Sequence, residues 1–226
     1  MAISYALLTS LNGLAVGLFL MSSFALAATR QMQGCQRFYI AQSICLVTSA
    51  FFLGLGLHSS DLLAVAALDA IMKPIVIPLL LRRMVPEAIF RRREIDQVLN
   101  IPSSLLIALA LTLFAFFLSG YLPRAAGSLG RINVPSGLAG LFIGVYALTV
   151  RREAVPQLIA IFCIENGALL CGFSIAPTLP LVAEMAFPFD ILIIALVIGI
   201  LTRMTHERVG TTQVGSFATL REGPGK

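Results

Sequence analysis

The feature that most limits what this chain can become is a series of about seven apolar runs, most close to 20 residues, parted by short arginine-bearing gaps. A run of that length crosses a hydrocarbon core of roughly 30 Å as a helix. Of the 226 residues, 58% are hydrophobic and 12% charged. Soluble domains carry about 25% charged residues, so little sequence is left for one. The expected fold is all-α: a polytopic membrane protein of about seven transmembrane helices.

The net charge of +5 invites a nucleic-acid reading. It is rejected because the arginines occupy the gaps between spans, where the positive-inside rule places them. The linkers after spans one, three, five and seven collect nearly all the Lys and Arg, whereas the opposite side has only Arg124 and Arg131. This bias puts the N-terminus outside and the C-terminus in the cytoplasm. Cys35, Cys45, Cys163 and Cys171 form no C-x-x-C pair and His58 and His206 stand alone, so no metal site is expected.

Taken in order, residues 1–84 hold three spans, at about 3–28, 38–57 and 62–81. The end of the first run faintly resembles a cleavage site, but no basic residue precedes it, and it is read as a retained helix. Residues 85–101 form a basic segment, either a short helix in the headgroup region or a solvated loop. A fourth span occupies the segment 102–122, and 121–135 is a Gly-rich loop. Residues 136–204 hold three further spans, the first with Gly140 and Gly144 spaced for close helix approach. Residues 205–226 form a tail. Spans one to three and five to seven share a weak common plan.

Charges within the runs carry the chemistry. A charge at bilayer depth costs about 2.5–3.5 kcal/mol on insertion scales, so it marks a protein-lined or water-lined site. Glu165 and Asn166 lie near the middle of the sixth span, and Glu184 and Asp190 lie in the seventh, parted by Pro188. The third span carries Asp69 and Lys73 four residues apart, acid first, the favourable order for an intrahelical pair. Pro74 and Pro78 follow, and broken backbone is tolerated at membrane depth only beside protein or water. Three readings of Asp69 and Lys73 stay open: a static salt bridge that fixes packing, a titrating role for Lys73, or a membrane boundary that lies elsewhere.

Four stretches give the chain a family likeness: Phe38-Tyr39-Ile40-Ala41-Gln42-Ser43, Ala70 through Leu79, Cys163-Ile164-Glu165-Asn166-Gly167, and Asp190 with the apolar run ending at Arg203. In their order and spacing the chain resembles the hydrogenase-4 component E family. The resemblance implies a small membrane subunit of a hydrogenase related to respiratory complex I. Its partners would be antiporter-like membrane subunits and peripheral redox subunits. The last three spans look like the K-type subunit of complex I and the C-type subunit of Mrp antiporters, whose intramembrane carboxylates match Glu165 and Asp190. The second acid is Asp here where the complex I subunit has Glu.

The residues and the resemblance together suggest a proton relay. Glu165 is its central site, Asp190 its neighbour, and Lys73 a site toward an adjacent subunit. Asp69 would tune Lys73, Gln42 and Asn166 would hold bridging water, and Glu184 is a further supporting polar group. The chain has no ligands for nickel, iron–sulfur or flavin, so no cofactor is expected and redox chemistry falls to partners. The rival readings are a structural scaffold subunit and an independent secondary transporter.

Overall fold

The computed structural model describes residues 5–84, 99–122 and 127–177, with single positions at 192, 196 and 199. The helices are α1 (Tyr5–Ala28), α2 (Met32–Leu57), α3 (Ser60–Ile71), α4 (Ile77–Met84), α5 (Ile101–Ser119), α6 (Asn133–Val150) and α7 (Ala154–Ile175). A π-helical turn, Met72–Val76, joins α3 to α4, so these two make one interrupted span. Among the described residues there are therefore six helices long and apolar enough to cross a membrane. The expected seventh span, the basic segment 85–98 and the tail lie outside the described residues.

The expected elements fall where the apolar runs put them, with two differences. Helix α2 begins at Met32, six residues before the expected start, so Arg37 is helical. Helix α6 begins at Asn133, where a loop through Pro135 was expected. Pro135 sits in the first turn of α6, where its missing N–H deprives the helix of no bond. The turn at His58-Ser59-Ser60-Asp61 is present. His58 takes the left-handed conformation (φ 52°) that ends α2, and the Ser59 hydroxyl accepts from the Leu62 N–H to start α3.

The chain ends its helices alternately at two faces. One face gathers Arg30, Arg37, Arg82, Arg83, Arg151 and Arg152, and Arg30 Nη2 donates to the Leu99 carbonyl there at 3.0 Å. Arg151, in the turn between α6 and α7, is buried. Its guanidinium donates to the carbonyls of Leu26 (2.7 Å) and Pro156 (3.2 Å), joining the end of α1 to the start of α7. The Leu26 carbonyl belongs to the last turn of α1, which lacks an intrahelical donor and carries partial negative charge.

Helices α6 and α7 pack backbone to backbone. A methyl at Gly137 would come within 2.7 Å of the Gly167 carbonyl oxygen and of Cys171 Sγ, and one at Gly144 within 2.9 Å of the Ile164 nitrogen. A methyl at Gly167 would meet the Leu141 nitrogen. Lipid tails are as apolar as leucine, so close approach, rather than exclusion of water, holds membrane helices together. The contact fixes α7 on both sides of Glu165 and Asn166.

Two apolar layers fill the interior. Toward the arginine face lie Leu26, Met32, Tyr39, Ile77, Ile159 and Phe162. Toward the other face lie Val16, Phe19, Leu46, Val65, Ala66 and Leu170. On α2, α7 and the interrupted span alike, the buried side chains between these layers are polar: Gln42 and Ser43, Asn166, and Asp69 and Lys73.

Candidate functional site

The polar layer centres on Lys73. Pro74 and Pro78 supply no N–H, and each ring crowds the carbonyl four residues back, which a regular α-helix does not tolerate. The backbone answers with a wider turn in which the Ile77 N–H reaches the Met72 carbonyl, five residues earlier. Lys73 lies inside that turn and is fully buried.

Its Nζ donates to Glu165 Oε1 at 2.7 Å and to Asn166 Oδ1 at 3.0 Å. Asn166 is the hub: its Nδ2 donates to Ser43 Oγ at 3.0 Å and to Gln42 Oε1 at 3.3 Å. Gln42 Nε2 continues to Ser23 Oγ at 2.8 Å, whose hydroxyl donates to the Phe19 carbonyl at 3.0 Å. Four membrane segments, α1, α2, the π turn and α7, thus meet through one connected set of hydrogen bonds. Removing both charges from water is costly, and a short pair with further hydrogen bonds to its members is the arrangement that offsets it.

Two expectations are corrected. Asp69 and Lys73 do not pair: Lys73 pairs with Glu165, and Asp69 Oδ1 has no hydrogen-bond partner among the described residues. The expected spacing assumed a regular helix, and the π turn beginning at Met72 shifts Lys73 off that register. Lys73 is also not the outward member of the set. The Lys73 side chain is 1% exposed and that of Glu165 is 13% exposed, so Glu165 forms the open edge and Lys73 is enclosed.

Of the predicted site residues, the fold brings together Glu165, Lys73, Gln42 and Asn166, with Asp69 buried nearby. Gln42 and Asn166, expected to hold bridging water, bond each other directly. Asp190 and Glu184 lie outside the described residues. Sequence reasoning missed Ser23 and left Ser43 without a role. Tyr39, 1% exposed and paired with Phe162 at 5.5 Å between ring centres, was also given none, although Ser43, Glu165 and Asp69 are among the groups near its hydroxyl.

A second polar set was missed altogether. Asn12, Ser49 and Asn133, each fully buried, close a ring near the other face. Asn12 Nδ2 donates to Asn133 Oδ1 and to the Leu129 carbonyl, both at 2.8 Å, and Asn12 Oδ1 accepts from Ser49 Oγ at 2.7 Å. Asn133 Nδ2 donates to Ser49 Oγ at 2.8 Å. The ring ties α1, α2 and α6 to the turn before α6. The available signal was a neutral amide or hydroxyl in two apolar runs, too common in helices to single out, and Asn133 fell in the expected loop.

Over nearly their whole lengths, the chain and a protein of Escherichia coli align with 26% identity across 220 residues, covering 93% of this chain and 96% of the other. That protein is hydrogenase-4 component E. The chain is similar to it. The same degree of likeness holds for hydrogenase-4 component E of Shigella flexneri. An uncharacterized protein of Mycobacterium tuberculosis is 26% identical over 208 residues, with 92% of this chain and 94% of that one covered. No family model matches the chain, and no solved structure matches it.

Proposed function

We propose that this chain is a membrane subunit of a hydrogenase-type complex related to complex I, and that its buried polar layer takes part in proton (or cation) translocation driven by redox partners. The observation that carries the reading is the Lys73–Glu165 pair, 2.7 Å apart at the junction of the π turn and α7. A charged pair at this depth, on a helix broken by two prolines, is an arrangement that membrane proteins reserve for ion pathways and relays. The full-length likeness to hydrogenase-4 component E supports the partner set.

The apolar layers above and below the pair favour sideways passage, through the edge at Glu165. On this reading Asp190 is the neighbouring carboxylate, Glu184 a supporting group, and antiporter-like subunits of a bacterial inner membrane complex receive the charge. The N-terminus lies outside and the arginine face in the cytoplasm.

A scaffold reading is favoured by one observation, the complete use of both Asn166 amide atoms in hydrogen bonds between helices. Glu165→Gln separates the two. The relay reading expects an assembled complex that has lost coupled ion movement. The scaffold reading expects the complex itself to be lost.

A further inference from the structure

Asp69 stands apart from every other polar group of the layer. It is 2% exposed, and its Oδ1 has no hydrogen-bond partner among the described residues. Four neighbouring oxygens are engaged: Glu165 Oε1 and Asn166 Oδ1 by Lys73 Nζ, and Gln42 Oε1 and Ser43 Oγ by Asn166 Nδ2. Among the described residues the charged groups near Asp69 are Lys73 of its own span and Glu165 of α7, and Tyr39 of α2 adds a phenol.

Among the described residues the centre therefore holds one ammonium and two carboxyl groups, one carboxyl more than Lys73 can pair. A hard metal cation needs several oxygens converging on one point. Here the converging oxygens, Glu165 Oε1 and Asn166 Oδ1, already meet at Lys73 Nζ, so the lysine fills the place such a cation would take. Among the described residues no group of three or more His, Cys, Asp or Glu side chains is placed to hold a metal ion. A proton needs a single lone pair, and Asp69 Oδ1 offers one.

Building on the relay reading, we propose that Asp69 is the group that holds the transported ion at this centre, and that this ion is a proton rather than an alkali cation. Lys73 and Glu165 stay charged and paired while Asp69 is loaded and unloaded. No bond other than O–H forms or breaks.

Infrared difference spectroscopy between acid and alkaline buffers tests this on the full-length chain within its complex in lipid nanodiscs, in choline chloride or sodium chloride at equal ionic strength. The expected result is a protonated-carboxyl carbonyl band that Asp69→Asn removes, Asp69→Glu restores at a shifted position, and Glu165→Gln leaves in place. The band has the same amplitude in both salts. The proposal is overturned if the band vanishes in Glu165→Gln and survives in Asp69→Asn, if no band at any pH depends on Asp69, or if sodium abolishes it. Ion movement that is indifferent to Glu165→Gln would instead remove the relay reading while leaving the assignment of the band intact.

Discussion

Lys73 Nζ lies 2.7 Å from Glu165 Oε1, a partner 92 residues away in sequence, while the acid one turn before it on its own helix is left without that contact. The choice of the distant partner follows from the π turn. It makes the lysine a bridge between two membrane segments in place of a brace within one.

Breaking that bridge from one side leaves an uncompensated buried charge, which costs about 3–5 kcal/mol. Lys73→Met is therefore expected to destabilise the protein by about that amount. Lys73→Met combined with Glu165→Gln recovers most of the loss, because neither charge is then stranded. A double-mutant cycle from unfolding in mixed micelles measures this. Equal and additive losses would show that the pair is not coupled.

The α6–α7 contact predicts a contrast among glycines. Gly167→Ala places a methyl against the Leu141 backbone, which has no side-chain rotamer to yield, and the cost of such overpacking is about 1–3 kcal/mol. Gly172→Ala has nothing within 4 Å of the added carbon and gains about 0.5–1 kcal/mol from helix propensity. Thermal unfolding of the two variants should shift in opposite directions.

The Asn12–Ser49–Asn133 ring should matter for stability and not for ion movement. Asn12→Leu strands Asn133 and Ser49 in a dry interior, at about 1–3 kcal/mol for each unsatisfied group. The check is a lowered unfolding midpoint with an unchanged amount of ion moved per assembled complex.

Arg151 is expected to act as a clamp. Arg151→Met removes the donors to the Leu26 and Pro156 carbonyls. Hydrogen bonds to charged groups contribute about 1.5–3 kcal/mol each. Arg151→Lys, with one point charge for two separated carbonyls, restores at most one of them. Protease sensitivity at the arginine face reports the loosening.

Much of the architecture was legible because the bilayer constrains sequence so strongly. Helix length and arginine placement locate α1, α5 and α7 within a few residues. Glu165 and Lys73 stood out because ionised side chains are costly inside apolar runs. Their pairing was not legible, since the i, i+4 spacing of Asp69 and Lys73 assumes a regular helix and the two prolines supply a π turn instead. The burial of Arg151 was not legible either. Its position in a linker does not reveal that its guanidinium reaches the Leu26 carbonyl in the last turn of α1. The buried ring of Asn12, Ser49 and Asn133 needs three helices to be placed before its members can be seen to meet.

The central claim is that the buried polar layer around Asp69, Lys73 and Glu165 carries charge for the complex. Its most direct test is the number of protons moved per electron pair in inverted membrane vesicles, compared for the unaltered complex and Glu165→Gln at equal amounts of assembled complex. The account predicts that redox turnover persists in Glu165→Gln while proton movement per electron pair falls. An unchanged ratio would contradict it.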